Sequence, residues 1–202
     1  MRTRMLTSAV CLAMGLGFTG CAGGIEVNQP APAFTLKDTL GIDHALSALK
    51  GKFVVLEWTN YDCPFVKKHY DSGNMQKLQK AYTEKGVVWL SVNSSAAGKQ
   101  GNYAPEKWNE MIKEKGVAAT AVLLDPDGTA GKMYGAKTTP HMFGINPEGV
   151  VIYKGAIDDK PSVDPESLKG AKNYVEAALD AAMAGKPVET PATQAYGCSV
   201  KY

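Results

Sequence analysis

The residues of this 202-residue chain with the most evident capacity for chemistry are its four cysteines, and Cys63 has the most informative surroundings. It follows a nearly continuous apolar run at 53–58 and precedes a proline. Such a run is typical of a buried strand, and a proline is tolerated at the first position of a helix. A thiol reacts as its thiolate, which the free N–H groups and the positive dipole end of a helix start stabilise. We therefore predict that a helix begins near Cys63 and that Cys63 is a nucleophile.

The residues that flank Cys63 carry charges of both signs. Lys67, Lys68 and His69 follow within the next turn of the predicted helix, whereas Asp62 precedes it. Cations near a thiol favour its thiolate form, and an anion opposes it. We expect the pKa of Cys63 to lie below that of a free cysteine. The alternative is that Cys63 is a buried structural cysteine.

The first residues have the pattern of an export signal. Two arginines precede an apolar run at about 5–18, which is too short to cross a bilayer, and small residues follow it. This pattern predicts a signal peptide over 1–20. Its end resembles a bacterial lipobox, in which Cys21 would become a lipid-bearing N-terminus; plain cleavage nearby is the alternative. We therefore expect an exported protein of the bacterial cell envelope, anchored by lipid and facing the periplasm.

Export would restrict both the thiols and the charge of the mature chain. Cys11 would be removed with the signal and Cys21 would carry lipid, so Cys63 and Cys198 would be the remaining thiols in an oxidising compartment. The only two arginines precede residue 5, so the mature chain would have as many lysines as acids. This balance lacks the clustered cations that nucleic-acid binding needs. We expect no nucleic-acid partner, and membrane contact only through the lipid anchor.

Apolar periodicity predicts one domain over 33–185, after a linker at 21–32 and before a tail at 186–202. The tail contains two prolines and no periodicity, so we expect it to dock weakly and to swing. The predicted fold class is α/β, with a mixed central sheet flanked by helices. Strands are predicted at about 33–37, 41–45, 53–58, 87–92, 121–124, 141–145 and 150–154, and helices at about 63–85 with a kink at 72–73, 105–115, 129–134 and 165–184.

Three segments resemble parts of thioredoxin-fold proteins and occur in the same order. Trp58–Val66 (WTNYDCPFV) is similar to the active-site segment of that fold, and Tyr134–Pro140 (YGAKTTP) is similar to its cis-proline loop. Ala31–Asp38 (APAFTLKD) resembles the first strand of the alkyl hydroperoxide reductase / thiol-specific antioxidant (redoxin) superfamily. The ending Gly197–Tyr202 (GCSVKY) resembles that of its peroxiredoxin-like subgroup. The resemblance covers about residues 30–202 and implies a thioredoxin-like fold.

The resemblance implies a site built around Cys63. Pro140 would be the cis-proline and, with Thr139, would bring the loop backbone beside the thiol. His141 is a candidate base or proton donor, unless it points away into a strand face. A thioredoxin Cys-x-x-Cys would place its second thiol at position 66, where this chain has a valine. Cys198 is therefore the candidate resolving thiol, with a static disulfide or an idle tail thiol as alternatives.

Three functions remain open at this point. The first is thiol–disulfide exchange at Cys63 with an unidentified thiol reductant. The second is peroxide reduction, in which a sulfenic acid at Cys63 condenses with Cys198. The third is a non-enzymatic metal-binding or assembly module. Typical peroxiredoxins carry Pro-x-x-x-Thr-x-x-Cys and a distant arginine, but here Leu56 and Asn60 stand at the proline and threonine positions. We rank thiol–disulfide exchange slightly first, with a disulfide or peroxide substrate and no cofactor or metal.

Overall fold

The computed structural model describes residues 24–202. The predicted signal peptide (1–20) and Cys21 lie outside this range. Within it, no helix combines the length and the apolar character needed to cross a bilayer.

Nine strands occur among the described residues, and seven of them form one sheet. If the strands are numbered along the chain, their order across the sheet is 2, 1, 5, 4, 3, 7 and 8. Strands 6 and 9 form a separate pair. The strands are β1 Thr35–Asp38, β2 Asp43–Ala45, β3 Val54–Trp58, β4 Val88–Asn93, β5 Ala121–Leu124, β6 Thr138–Thr139, β7 His141–Ile145, β8 Val151–Gly155 and β9 Cys198–Ser199.

The sheet is mixed, as the order of elements predicts. The three central strands β3, β4 and β5 are parallel, and the other pairs in the sheet are antiparallel. Parallel neighbours need crossover connections, which helices on the sheet faces supply. The helices are α1 Pro64–Asp71, α2 Asn74–Thr83, α3 Pro105–Glu114, α4 Thr129–Tyr134 and α5 Tyr174–Met183. The predicted thioredoxin-like α/β architecture is confirmed.

Two predicted helices are interrupted. The helix expected over 63–85 is divided at the predicted kink into two helices, because Gly73 adopts a left-handed φ of 75° between α1 and α2. The helix expected over 165–184 is wrong in its first half, where only a short 3₁₀ turn forms at Pro165–Leu168. The α-helix starts later because Asn173 caps it, with its side-chain oxygen accepting a hydrogen bond from the Glu176 N–H at 3.0 Å.

Strand β3 is buried at all five positions and separates two apolar clusters. One cluster contains Val55 and Cys63, and the other contains Leu56, Trp58 and Phe143. Successive side chains of a strand point to opposite faces, so this division follows from the alternation along β3. The candidate thiol therefore belongs to one face of the sheet.

The segment predicted as a linker at 21–32 is partly bound to the sheet edge. The Asn28 N–H donates to the Val151 carbonyl at 2.8 Å, and the Ala31 N–H donates to the Gly149 carbonyl at 2.8 Å. Backbone pairing of this kind needs no apolar periodicity, which is why composition alone did not predict it.

The C-terminal tail at 186–202, which its composition predicts to dock weakly, makes contacts along its length, and its ability to swing stays a prediction. The Thr193 N–H donates to the Lys154 carbonyl at 3.0 Å, and the Val200 N–H donates to the Lys137 carbonyl at 3.0 Å. Between these contacts, β9 pairs antiparallel with β6. The tail therefore returns to the loop that precedes Pro140.

Candidate functional site

Cys63 is the residue that caps the N-terminus of α1. Its backbone is extended (φ −72°, ψ 124°), and Pro64 occupies the first helical turn, where a missing N–H costs nothing. The Cys63 carbonyl accepts hydrogen bonds from the N–H groups of Val66 and Lys67, at 3.0 and 2.9 Å. The thiol therefore stands at the positive end of the helix, as the sequence predicts.

Asn60 builds the turn that carries the chain from β3 to α1. It is buried, its carbonyl accepts from the Cys63 N–H at 2.9 Å, and its side-chain oxygen accepts from the Asp62 N–H at 3.0 Å. The Asp62 carboxylate accepts a hydrogen bond from the Tyr103 hydroxyl at 2.6 Å. Asn60 thus replaces the threonine of the peroxiredoxin pattern with a side chain that is used in the turn.

Thr139 joins the two thiols through its backbone. The Cys63 thiol donates to the Thr139 carbonyl at 3.0 Å, and Thr139 pairs with Cys198 between β6 and β9. The Thr139–Pro140 peptide bond is cis, the conformation that the family resemblance implies. The structure thus brings together Cys63, Thr139, Pro140 and Cys198.

The two thiols differ in acidity. Burial raises the pKa of Cys63, but hydrogen bonds from the Cys198 thiol and backbone, the Thr139 side chain and the Val66 N–H lower it below its ordinary value. Burial, the neighbouring Cys63 thiol and the charge on Cys63 together raise the pKa of Cys198 to about 11. Cys63 is therefore the more acidic thiol of the pair.

The tail covers the more acidic thiol. Cys63 is 0% exposed, whereas Cys198 is partly exposed, and both are free thiols. Gly197 permits this close approach, because its φ is +139° and a Cβ built on it would lie 2.1 Å from the Thr139 carbonyl oxygen. Because Cys63 is 0% exposed, a reaction partner reaches its sulfur only if part of the surrounding structure moves.

His141 lies on the other side of the sheet from the thiol. Its ring packs against Phe143 with ring centroids 4.6 Å apart, and its Nδ1 lies 3.3 Å from the Lys137 N–H. Burial, and then the charges of Lys154 and Lys137, lower its pKa to about 4. The ring is neutral at pH 7, and the structure does not bring it to Cys63.

Two of the three cations expected beside Cys63, Lys68 and His69, contact an acid instead. Lys68 and His69 are buried, and both face Asp158, whose Oδ2 lies 3.5 Å from Lys68 Nζ and 3.8 Å from His69 Nε2. Burial lowers the pKa of His69 to about 4, so this ring is neutral at pH 7. The expectation that His69 supplies a positive charge to Cys63 is wrong, because periodicity does not show which helix face is buried against an acid.

Glu57 is a buried acid whose environment sequence reasoning missed. Its carboxylate accepts four hydrogen bonds, from the Tyr70 hydroxyl at 2.8 Å, Gln79 Nε2 at 3.0 Å, Trp89 Nε1 at 2.8 Å and the Ser91 hydroxyl at 2.9 Å. Burial raises its pKa even though these donors oppose the rise. Its signal in the sequence was a lone acid inside an otherwise apolar strand.

Tyr196 is the second residue that sequence reasoning missed. Its hydroxyl donates to Asp158 Oδ1 and lies 3.2 Å from Lys68 Nζ. The tail showed no periodicity that could mark one of its tyrosines as half-buried against the domain. Over residues 24–202, no three histidine, cysteine or acidic side chains are grouped closely enough to hold a metal ion.

Comparison with known proteins finds relatives among thiol oxidoreductases. The model of the Redoxin family matches residues 26–172. The thiol-disulfide oxidoreductase ResA of Bacillus subtilis is 32% identical over 157 residues, which are 75% of this chain and 80% of ResA. A protein of Coxiella burnetii named as a peroxiredoxin, bcp, is 28% identical over 137 residues, 67% of this chain and 83% of that protein.

A solved structure extends the similarity beyond the family match. The crystal structure of an uncharacterized conserved protein from Geobacillus kaustophilus superposes with a TM-score of 0.75 at 28% sequence identity. The alignment covers 88% of this chain and 92% of that one.

Proposed function

The chain belongs to the redoxin family of thioredoxin-fold oxidoreductases, and from this premise we propose that Cys63 and Cys198 are the redox pair of a thiol–disulfide exchange reaction. The observation that carries the proposal is the position of both cysteines beside Thr139. The Thr139 carbonyl accepts a hydrogen bond from the Cys63 thiol at 3.0 Å, and Thr139 pairs with Cys198 between β6 and β9. The pKa values of the two thiols are shifted in opposite directions. A nucleophile and a resolving thiol need this difference in acidity.

The proposed reaction has two steps. In the first, the Cys63 thiolate attacks one sulfur of a substrate disulfide, so that a Cys63–substrate disulfide forms and the substrate S–S bond breaks, releasing one substrate thiolate. In the second, the Cys198 thiol loses its proton and attacks Cys63, which forms the Cys63–Cys198 disulfide and releases the second substrate thiolate. Two protein thiols are oxidised and one substrate disulfide is reduced. A dithiol reductant then restores the protein.

The first step of the reaction lowers the pKa of Cys198, which the second step requires. The thiolate charge on Cys63 is one cause of the high pKa of Cys198, and that charge disappears when Cys63 forms a mixed disulfide. Cys198 therefore becomes more acidic when its thiolate is needed. The order of events follows from the chemistry: Cys63 attacks first and Cys198 second.

The test uses cystine as the disulfide probe and maps the products by mass spectrometry. We expect the wild type to form an intramolecular Cys63–Cys198 disulfide and to release cysteine. The Cys198→Ser variant should stop at a Cys63–cysteine mixed disulfide, and Cys63→Ser should react far more slowly. Equal reaction of Cys63→Ser and the wild type would contradict the proposal.

Peroxide reduction is the second candidate, and the burial of Cys63 is the observation that favours it. Because Cys63 is 0% exposed, every oxidant needs an opening to reach it, and a peroxide needs a smaller opening than a disulfide does. The thiolate would attack one peroxide oxygen, forming an S–OH bond and breaking the O–O bond with release of water. Cys198 would then displace the hydroxyl as a second water.

The chain lacks the arginine that could polarise the O–O bond, since the only two arginines precede residue 5, and lysine lacks the planar fork. We therefore expect Cys63 to react with hydrogen peroxide at the rate of an ordinary thiolate. The measurement is the second-order rate of Cys63 oxidation in Cys198→Ser. A rate several orders of magnitude above that of a free thiolate would place peroxide reduction first.

We propose in addition that the protein is exported to the bacterial cell envelope and anchored by lipid at Cys21. The proposal is supported by the basic, apolar and small-residue pattern before Cys21. Metabolic labelling with a fatty acid tests it, with Cys21→Ser as the control. Equal labelling of the two proteins, or none in the wild type, would contradict the anchor.

A further inference from the structure

A buried polar cluster connects the C-terminal tail to the helix that Cys63 begins. Tyr196, two residues before Cys198, places its hydroxyl among Asp158, Lys68 and His69. The hydroxyl donates to Asp158 Oδ1 and lies 3.2 Å from Lys68 Nζ and 3.4 Å from His69 Nε2. The tail is thereby bound to groups that are themselves shielded from water.

Two members of this cluster belong to α1. Lys68 and His69 lie on α1, one turn beyond its start, and the ring of Phe65 on the same helix lies 5.8 Å from the ring of Tyr196. Cys63 stands at the N-terminus of that helix. Tyr196 therefore links the strand that carries one thiol to the helix that carries the other.

The helix side of the cluster is fixed by contacts outside the tail. Lys68 Nζ also donates to the Lys160 carbonyl at 2.8 Å, and His69 Nδ1 lies 2.9 Å from Asn74 Nδ2. Lys68 and Asp158 balance each other's charge without Tyr196. Lys68, His69 and Asp158 are therefore held in place by contacts outside the tail. The tail, in contrast, depends on them for its own position.

Cys198 is restrained by the pairing of β9 with β6 and by side-chain anchors on either side of it. The residue between Tyr196 and Cys198 is Gly197, which has no side chain to pack. On the other side, Tyr202 is anchored by its hydroxyl, which donates to the Ala136 carbonyl at 2.8 Å, but it is four residues away. Val200, which is also two residues from Cys198, packs against the apolar cluster that contains Phe143. Tyr196 is therefore the polar one of the two nearest side-chain anchors of Cys198.

We propose that Tyr196 is a positioning residue of the redox reaction: its phenol holds the tail on α1 so that Cys198 stays beside Cys63 and closes the disulfide. The inference rests on the proposed Cys63–Cys198 pair. Tyr196 contacts neither thiol and acts only through the placement of the tail. Loss of its hydroxyl should therefore slow the second step of the reaction and leave the attack by Cys63 intact.

The test separates the two steps in the full-length protein. The reduced wild type, Tyr196→Phe and Tyr174→Phe are mixed with oxidised glutathione and quenched in acid at successive times. Mass spectrometry then quantifies the Cys63–glutathione adduct and the Cys63–Cys198 disulfide. Tyr174 is the matched control, because it lies on α5 and its hydroxyl makes no hydrogen bond within residues 24–202. Thermal unfolding of each reduced protein shows whether the variants fold.

We expect Tyr196→Phe to form the glutathione adduct at the wild-type rate or faster and to close the disulfide about tenfold more slowly, so that the adduct accumulates. Tyr174→Phe should match the wild type in both steps. Equal closure in Tyr196→Phe and the wild type would overturn the inference, as would slowing of both steps together, which would indicate general loss of structure. Failure of the wild type itself to close would instead refute the Cys63–Cys198 pair.

Discussion

Cys63 combines a lowered pKa with complete burial, and the two properties have different causes. Burial alone would raise the pKa, but donors from Cys198, Thr139 and Val66 outweigh it. The cations expected from the sequence contribute less than predicted, since His69 is neutral and Lys68 faces Asp158. The acidity of Cys63 thus depends in part on the residue that is proposed to react with it.

Exchanging the Cys198 thiol for two small side chains tests this dependence. Serine retains a hydroxyl that can donate to the Cys63 thiolate, and alanine does not. We expect the pKa of Cys63 to be higher in Cys198→Ala than in Cys198→Ser, with the serine variant below the value of about 8.5 for free cysteine. The pH dependence of Cys63 alkylation, followed by peptide mass spectrometry, measures both values. Identical midpoints would show that Cys198 does not tune Cys63.

The buried carboxylate of Glu57 contributes to the stability of the fold. Its carboxylate accepts four buried hydrogen bonds, whereas an amide would present two donors to a site already composed of donors. We expect Glu57→Gln to lower the free energy of unfolding by about 2 kcal/mol. Glu84→Gln is the control, because Glu84 is exposed and should change stability by less than about 0.5 kcal/mol. Urea unfolding measures both, and equal effects would contradict the role given to Glu57.

The elements that carry the site were the most predictable part of the fold. An unbroken apolar run with β-branched residues indicated β3, and Cys-Pro after it indicated the start of α1. Both were found within one residue of the predicted start. These elements form because local sequence and tertiary environment favour the same conformation.

The tail could not be predicted in the same way. Its docking depends on backbone pairing between β9 and β6 and on single side chains such as Tyr196, and neither leaves a periodic pattern. Burial of a polar side chain needs a partner from a distant part of the chain. For Tyr196 that partner is Asp158, 38 residues away, which no local pattern reveals.

Gly197 allows the tail strand itself to be tested. A methyl group at this position would collide with the Thr139 carbonyl, so Gly197→Ala should displace β9 from β6. We expect faster alkylation of Cys63 by iodoacetamide and a smaller fraction of Cys63–Cys198 disulfide after oxidation. Gly185→Ala is the control, since Gly185 also has a positive φ (68°) but its Cβ would meet nothing within 4 Å. The same response from both variants would mean that backbone strain, not the collision with Thr139, was responsible.

Across the whole molecule, the sheet separates the two thiols from His141, the buried titratable residue that follows the cis-proline. His141 is adjacent to Pro140 in sequence, yet it faces the cluster that contains Phe143, away from Cys63. Adjacency along a strand places neighbours on opposite faces, so the sequence could not decide its role without the register of β7. Its buried neutral ring instead makes stability depend on pH.

That dependence has a definite sign. The folded pKa of His141 is about 4, below the ordinary value of about 6.5. The unfolded chain therefore binds a proton that the folded protein does not, and stability is lost as pH falls from about 6.5 to about 4. We expect His141→Asn, which keeps an acceptor for the Lys137 N–H, to lose less stability over this range. The difference should approach 1.4 kcal/mol per pH unit.

Urea unfolding at several pH values measures this difference. His69 shares the same direction of shift, but it is present in both proteins and cancels in the comparison. Parallel curves for the wild type and His141→Asn would contradict a neutral, buried His141.

In the proposed reaction, Cys63 and Cys198 act as one two-electron pair within a single chain. Equilibration of the full-length protein with graded ratios of oxidised and reduced dithiothreitol, followed by intact mass and peptide mapping, tests it most directly. We predict a single two-electron transition in which the Cys63–Cys198 disulfide is the oxidised species, independent of protein concentration. Disulfide-linked dimers, or an oxidised state in which Cys198 remains a free thiol, would contradict the account.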